Sequence, residues 1–219
     1  MGIAERTKAA RERRTLAATV LYVVFAMMYF MKVDIPFMMV FPMATLFLFG
    51  MRLIPWQMCL AALFSAAGDA MGVMHRFIPQ MAFFMLAHVM MIAWYLPRIR
   101  KQGAGYLSFA LVLAASLAVF AFTCILTHVE GGVVKTGTSL YCTVISLMFL
   151  CSMLQVDGKD VWSRVLPVGA FLFLASDMVL AWNKFVCDVP GERYLIMVPY
   201  YAGQMLIFWG AAMCLKKKK

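Results

Sequence analysis

Gly105 to Leu126 reads "GYLSFALVLAASLAVFAFTCIL", a run without one charged side chain, bounded by Lys101 on one side and Glu130 on the other. A stretch of about 20 mostly apolar residues is what an α-helix needs to cross the hydrocarbon core of a bilayer. Such a run has no place on the surface of a soluble domain. The same texture recurs along nearly the whole chain. Of its 219 residues 64% are hydrophobic and 14% charged, whereas soluble domains are about half apolar and a quarter charged.

Working outward from that run, eight spans are expected: Thr15–Met31, Pro36–Met51, Pro55–Met74, Ile78–Pro97, Gly105–Leu126, Val133–Leu154, Arg164–Phe185 and Tyr194–Leu215. The fold class is thus all-α, a polytopic bundle of eight transmembrane helices. Residues 15–215 form one membrane domain, flanked by a basic N-terminal segment (1–14) and a basic tail (216–219). The connections are too short to hold a soluble domain.

The net charge of +10 invites a nucleic-acid reading, which its distribution excludes. With the N-terminus inside, Arg6, Lys8, Arg11, Arg13, Arg14, Arg52, Arg98, Arg100, Lys101, Lys159, Arg164 and Lys216 to Lys219 all fall on the inner side. Only Lys32, Arg76, Lys135, Lys184 and Arg193 fall outside. Cytoplasmic loops collect Lys and Arg, and an even span count returns the C-terminus to the same side, so both termini are expected to be cytoplasmic. The charge orients the chain and can touch anionic lipid. The first apolar run is too long for a cleaved signal peptide and lacks a small-residue cleavage site. Short loops and small size point to a bacterial inner membrane. The six cysteines form no CxxC pair, so neither a disulfide framework nor a thiolate metal site is expected. No other metal or cofactor is called for.

Against this background two acidic residues stand out. Asp69, in "LFSAAGDAMGVMHRF" (Leu63 to Phe77), and Asp177, in "LFLASD" (Leu172 to Asp177), lie well inside expected spans. An ionisable group at mid-membrane costs at least ~2.5–3.5 kcal/mol on insertion scales, so it faces a cavity or a partner. Both spans run from inside to outside, which places the two carboxyls at similar depth in the outer half of the bilayer. Each follows small residues, which let helices approach closely. Ser65 precedes Asp69 by four residues and shares its helix face. His88, Ser176, Asn183, Tyr201 and Gln204 are the other polar groups near that layer. The two aspartate spans, each followed by a span with polar residues, could be the trace of a parallel four-plus-four repeat.

The pieces "FSAAGD", "AFFMLAH", "GAFLFLASDMVLAWNKF" and "YYAGQ", in that order and spacing, resemble the YhhN-like lysoplasmalogenase family. The resemblance runs from the third span to the eighth and carries at Ser65, Gly68, Asp69, His88, Ser176, Asp177, Asn183, Tyr201 and Gln204. It implies an eight-span hydrolase that cleaves the vinyl ether of a lysoplasmalogen to a fatty aldehyde and a glycerophospho-ethanolamine or -choline. The substrate is then a membrane lysophospholipid, with water as co-reactant. The family's Lys-Pro in the second span is absent, since Phe41 precedes Pro42 here.

Two carboxyl groups suit that reaction. A vinyl ether hydrolyses by protonation of its β-carbon, giving an oxocarbenium ion to which water adds. One carboxylic acid must therefore carry a proton near neutral pH, and burial and a like-charged neighbour both favour the neutral form. A second, ionised carboxylate stabilises the cation, the division of labour known from glycoside hydrolysis. Asp69 is expected to be the acid and Asp177 the ionised partner, with Ser65, His88, Ser176, Asn183, Tyr201 and Gln204 positioning water or lipid. The alternatives are a proton-coupled transporter, because intramembrane Asp and His also form proton relays, and a non-catalytic scaffold.

Overall fold

The computed structural model describes the backbone of residues 3–216 and the side chains of residues 9–214. Apart from the Lys216 backbone, the expected tail 216–219 lies outside the described residues. Among these, every regular element is helical: α1 (Ile3–Phe30), α2 (Phe41–Gly50), α3 (Trp56–Val73), α4 (Phe77–Tyr95), α5 (Ala104–Phe120), α6 (Val133–Leu154), α7 (Val161–Phe185) and α8 (Glu192–Lys216). A 3-10 turn, Met38–Val40, leads into α2, and a π-helical turn, Ala121–Ile125, extends α5.

Among the described residues, six helical segments are long and apolar enough to cross a membrane: Ala9–Phe30, Phe77–Arg98, Ala104–Ile125, Val133–Leu154, Val161–Phe185 and Glu192–Cys214. The chain is a multi-pass integral membrane protein. Helix α3 is diluted by Gln57, Ser65 and Asp69. Helix α2, at 10 residues, rises only about 15 Å, half the ~30 Å hydrocarbon core. The expected span Pro36–Met51 is therefore not one continuous helix. Ahead of α2, Lys32 and Phe37 take left-handed backbone (φ 55° and 59°), and the Met39 carbonyl accepts a hydrogen bond from the Tyr201 hydroxyl at 3.0 Å. Pro42 consequently starts α2, where a missing N–H is harmless, rather than kinking a span. Pro167 and Pro199 lie inside helices.

Helix α1 begins at Ile3, and its part long and apolar enough to cross a membrane is Ala9–Phe30. The Arg11 guanidinium donates to the carbonyls of Leu53 (3.2 Å) and Ala212 (2.7 Å). Those contacts bring the start of α1, the α2–α3 connection and the end of α8 to one end of the bundle. At the other end, the Arg193 guanidinium near the start of α8 donates to the carbonyl of Tyr29, near the end of α1.

The most intimate pairings are the hairpins α3–α4 and α7–α8. Between α7 and α8 the backbones touch. A Cβ on Gly203 would stand 2.7 Å from the Gly169 carbonyl oxygen, and one on Gly169 would stand 2.8 Å from the Gly203 carbonyl oxygen. Neither obstacle is a flexible side chain that could turn aside, so a larger residue must separate the helices. Gly203→Val is expected to cost at least the ~1–3 kcal/mol of an overpacked core, read as a lower thermal midpoint and a smaller monodisperse fraction in detergent. An unchanged midpoint would show that the two helices can part freely.

Candidate functional site

Residues at i and i+4 share one face of a helix, and on α3 this aligns Ser65 with Asp69, both turned inward and almost fully buried. Gly68 and Gly72 keep the face next to them open. A Cβ on Gly68 would lie 3.1 Å from the Phe84 ring, and one on Gly72 would lie 2.7 Å from the Gln80 amide. Helix α4 can therefore lie against α3 at this level. One Asp69 oxygen, Oδ2, accepts a hydrogen bond from the Tyr200 hydroxyl of α8 at 3.0 Å. One turn further into the bundle, Gln204 Nε2 donates to Ser65 Oγ at 3.2 Å.

Asp177 is held from two other helices. Its Oδ2 accepts a short hydrogen bond from the Tyr141 hydroxyl of α6 and lies 3.6 Å from His88 Nε2 of α4. His88 Nε2 and the Tyr141 hydroxyl are themselves 3.1 Å apart. The imidazole is fully buried, its ring centroid is 4.7 Å from that of Phe173, and its Nδ1 has no partner. The pairing is reciprocal: the aspartate of the first hairpin is bonded by the second hairpin, and the aspartate of the second is met by the first. Phe84, Phe173 and Tyr200 pack edge to face between the two, with centroids 5.3–6.1 Å apart.

Both carboxyls line one cavity of about 460 Å³ at the end of the bundle opposite the described termini. Asp69, Ser176, Asp177 and Tyr200 form its buried floor, while the exposed His75 and Glu192 and the half-buried Arg193 stand at its mouth. A second, almost wholly apolar pocket of about 60 Å³ opens between α4, α5, α6 and α7. Met81, Leu117, Ile125 and Met178 are among its walls, and it shares Gln80, Phe84 and Asp177 with the first. Asp177 thus borders a polar vestibule and a greasy slot at once. A site that is mostly apolar with a few convergent polar groups is the usual form of a small-molecule pocket.

The sequence-derived candidates distribute unevenly over this arrangement. Asp69, Asp177 and Ser176 reach the cavity, and His88 stands against Asp177. Ser65 and Gln204 pair with each other behind Asp69. Asn183 does not line the cavity. Its Oδ1 accepts the Val189 N–H at 2.7 Å and its amide donates to Glu192, so it pins the α7–α8 connection. Tyr201 points away too, packing among Tyr22, Tyr29 and Phe30 and bonding to Met39. The tyrosine that reaches Asp69 is its neighbour, Tyr200. One signal for it was present: Arg193, Tyr200 and Gln204 stand at i, i+7 and i+11, a single helix stripe. For Tyr141, isolated in "SLYCTV", no comparable signal exists.

The YhhN family model matches residues 35–211, and the chain belongs to that family. Lysoplasmalogenase TMEM86B of Mus musculus is 31% identical over 158 residues, which cover 71% of this chain and 63% of that protein. Lysoplasmalogenase TMEM86B of Homo sapiens is 33% identical over 145 residues (65% and 58%), and lysoplasmalogenase TMEM86A of Bos taurus is 32% identical over 156 residues (66% and 60%). The chain thus spans about three fifths of the length of these curated relatives. No solved structure matches.

Proposed function

We propose that this YhhN-family chain is an intramembrane hydrolase that cleaves the vinyl ether bond of lysoplasmalogens, with Asp69 as proton donor and Asp177 as the ionised partner. The observation that carries the reading is the convergence of two carboxyls, from α3 and α7, on the floor of one cavity that also borders an apolar slot. The names of the relatives supply the substrate class.

Asp177 has a hydroxyl donor from Tyr141 and an imidazole beside it. Asp69 is more deeply buried and has a single hydroxyl donor, Tyr200. In the proposed reaction the Asp69 carboxyl gives its proton to the β-carbon of the vinyl ether, and the C=C electrons form that C–H bond. The positive charge that develops on the α-carbon and ether oxygen is stabilised by Asp177. Preorganised opposite charge at the place where charge develops is a leading source of catalysis. Water then adds to the α-carbon, losing a proton to a carboxylate. The hemiacetal collapses to the aldehyde, its hydroxyl proton passing by way of the site to the leaving glycerol oxygen. In this reading the fatty chain points toward the apolar slot and the glycerol head toward the vestibule.

The basic end of the bundle is assigned to the cytoplasm, in keeping with the bias of Lys and Arg, and the membrane to a bacterial inner membrane. The cavity then opens toward the outer leaflet.

Purified protein in detergent, given lysoplasmenylethanolamine, is expected to release a fatty aldehyde detectable with a coupled dehydrogenase. In D2O the aldehyde should carry one deuterium on the carbon next to the carbonyl, because that carbon receives the catalytic proton. Folded protein that releases no aldehyde would overturn the hydrolase reading, and lipid flux into sealed vesicles with the ether intact would mark a carrier.

A further inference from the structure

The floor of the cavity accounts for the reaction but leaves its mouth without a role. Arg193 stands there on the first turn of α8, its guanidinium stacked 4.2 Å above the Tyr29 ring and its Nη2 bonded to the Tyr29 carbonyl. Nε is buried with no hydrogen-bond partner. Among the described residues no carboxylate lies within ion-pair distance of the guanidinium. An arginine fixed at the cavity mouth by a ring and a carbonyl, with no carboxylate beside it, is preorganised for an anion that the protein does not itself supply. Guanidinium binds phosphate through parallel N–H donors, and the adjacent helix N-terminus adds favourable field.

We infer that Arg193 binds the phosphodiester of the lysolipid head group and thereby sets how deep the vinyl ether reaches. This deepens the lysoplasmalogen reading and rests on it for the substrate class. Seven residues separate Arg193 from Tyr200 on one stripe of α8, a rise of about 10 Å. A glycerol backbone with its phosphate can bridge that interval, placing the sn-1 ether near Asp69. Glu192, also at the mouth and braced by Asn183, offers a carboxylate where the ammonium of a zwitterionic head group would lie. The bracing of Glu192 gives Asn183 a place in the same device.

The test measures binding rather than turnover. The probes are a saturated 1-O-alkyl-glycerophosphoethanolamine, which has no vinyl ether to cleave, and the matching 1-O-alkylglycerol, which lacks the phosphate. Wild type in detergent is expected to bind the phosphate-bearing ligand about tenfold or more tightly than the alkylglycerol, the size of a charge-assisted contact. Arg193→Gln should remove that difference while leaving alkylglycerol affinity unchanged, and Arg193→Lys should restore part of it. Equal affinity of wild type for the two ligands would overturn the inference, whatever the variants do. So would loss of both affinities together in folded Arg193→Gln. Phosphate selectivity in a protein that releases no aldehyde would sustain the inference while the hydrolase reading fails.

Discussion

Asp69→Asn is expected to lower aldehyde release by about 10²–10⁴-fold, the usual worth of a positioned general acid, while the protein stays monodisperse and keeps its thermal midpoint. The amide has the shape of the carboxyl and retains an oxygen that can accept the Tyr200 hydroxyl, now 3.0 Å from Oδ2. It has no acidic proton to place on carbon. Because the replaced group is buried and loses no volume, a large drop in rate with an intact fold would report chemistry rather than packing. A variant that keeps more than about a tenth of wild-type turnover would take Asp69 out of the proton-donor role. Tyr200→Phe separates the two contributions. It deletes one neutral hydrogen bond, worth about 0.5–1.5 kcal/mol, so its effect on rate should stay near tenfold.

Asp177→Asn is expected to reduce turnover by about 10²–10³-fold, as removal of a preorganised electrostatic group does elsewhere. The amide can no longer oppose the charge of an oxocarbenium ion. Its oxygen can take the place of Oδ2, which accepts from Tyr141 and lies beside His88, so the fold should be kept. Substrate binding should change little, because the lost interaction forms mainly in the transition state; kcat should fall and KM should hold. A rise in KM with kcat unchanged would reassign Asp177 to holding the lipid. His88→Gln should be milder than either aspartate variant, since the imidazole reaches the site only through Asp177 and Tyr141.

Much of the fold could be read from hydropathy. Segments such as Gly105–Leu126 and Val133–Leu154 are helices because an apolar run in a bilayer has no other way to pair its backbone groups. Of the expected span Pro36–Met51, a short apolar helical stretch, Met38–Gly50, forms, and the Met39 carbonyl in it accepts from Tyr201. Composition reports solubility in lipid and carries no information about where a chain reverses. Asp69 and Asp177 were legible as site candidates for the same energetic reason, that an ionisable group in hydrocarbon needs a purpose. Their partners were not.

The division follows from what each level of organisation controls. The sequence by itself determined that this is a helical membrane protein, that its basic residues gather toward one end, and that two carboxyls lie at similar depth. All of these are properties of single segments, set by transfer free energies that add along the chain. Only the tertiary structure decided that Tyr200 rather than Tyr201 meets Asp69, that Tyr141 and His88 meet Asp177, and that Asn183 braces a connection instead of facing the cavity. Neighbouring residues on a helix point about 100° apart. Which of two adjacent tyrosines enters the site therefore depends on how α8 is rotated, and contacts such as that between Gly169 and Gly203 set the rotation.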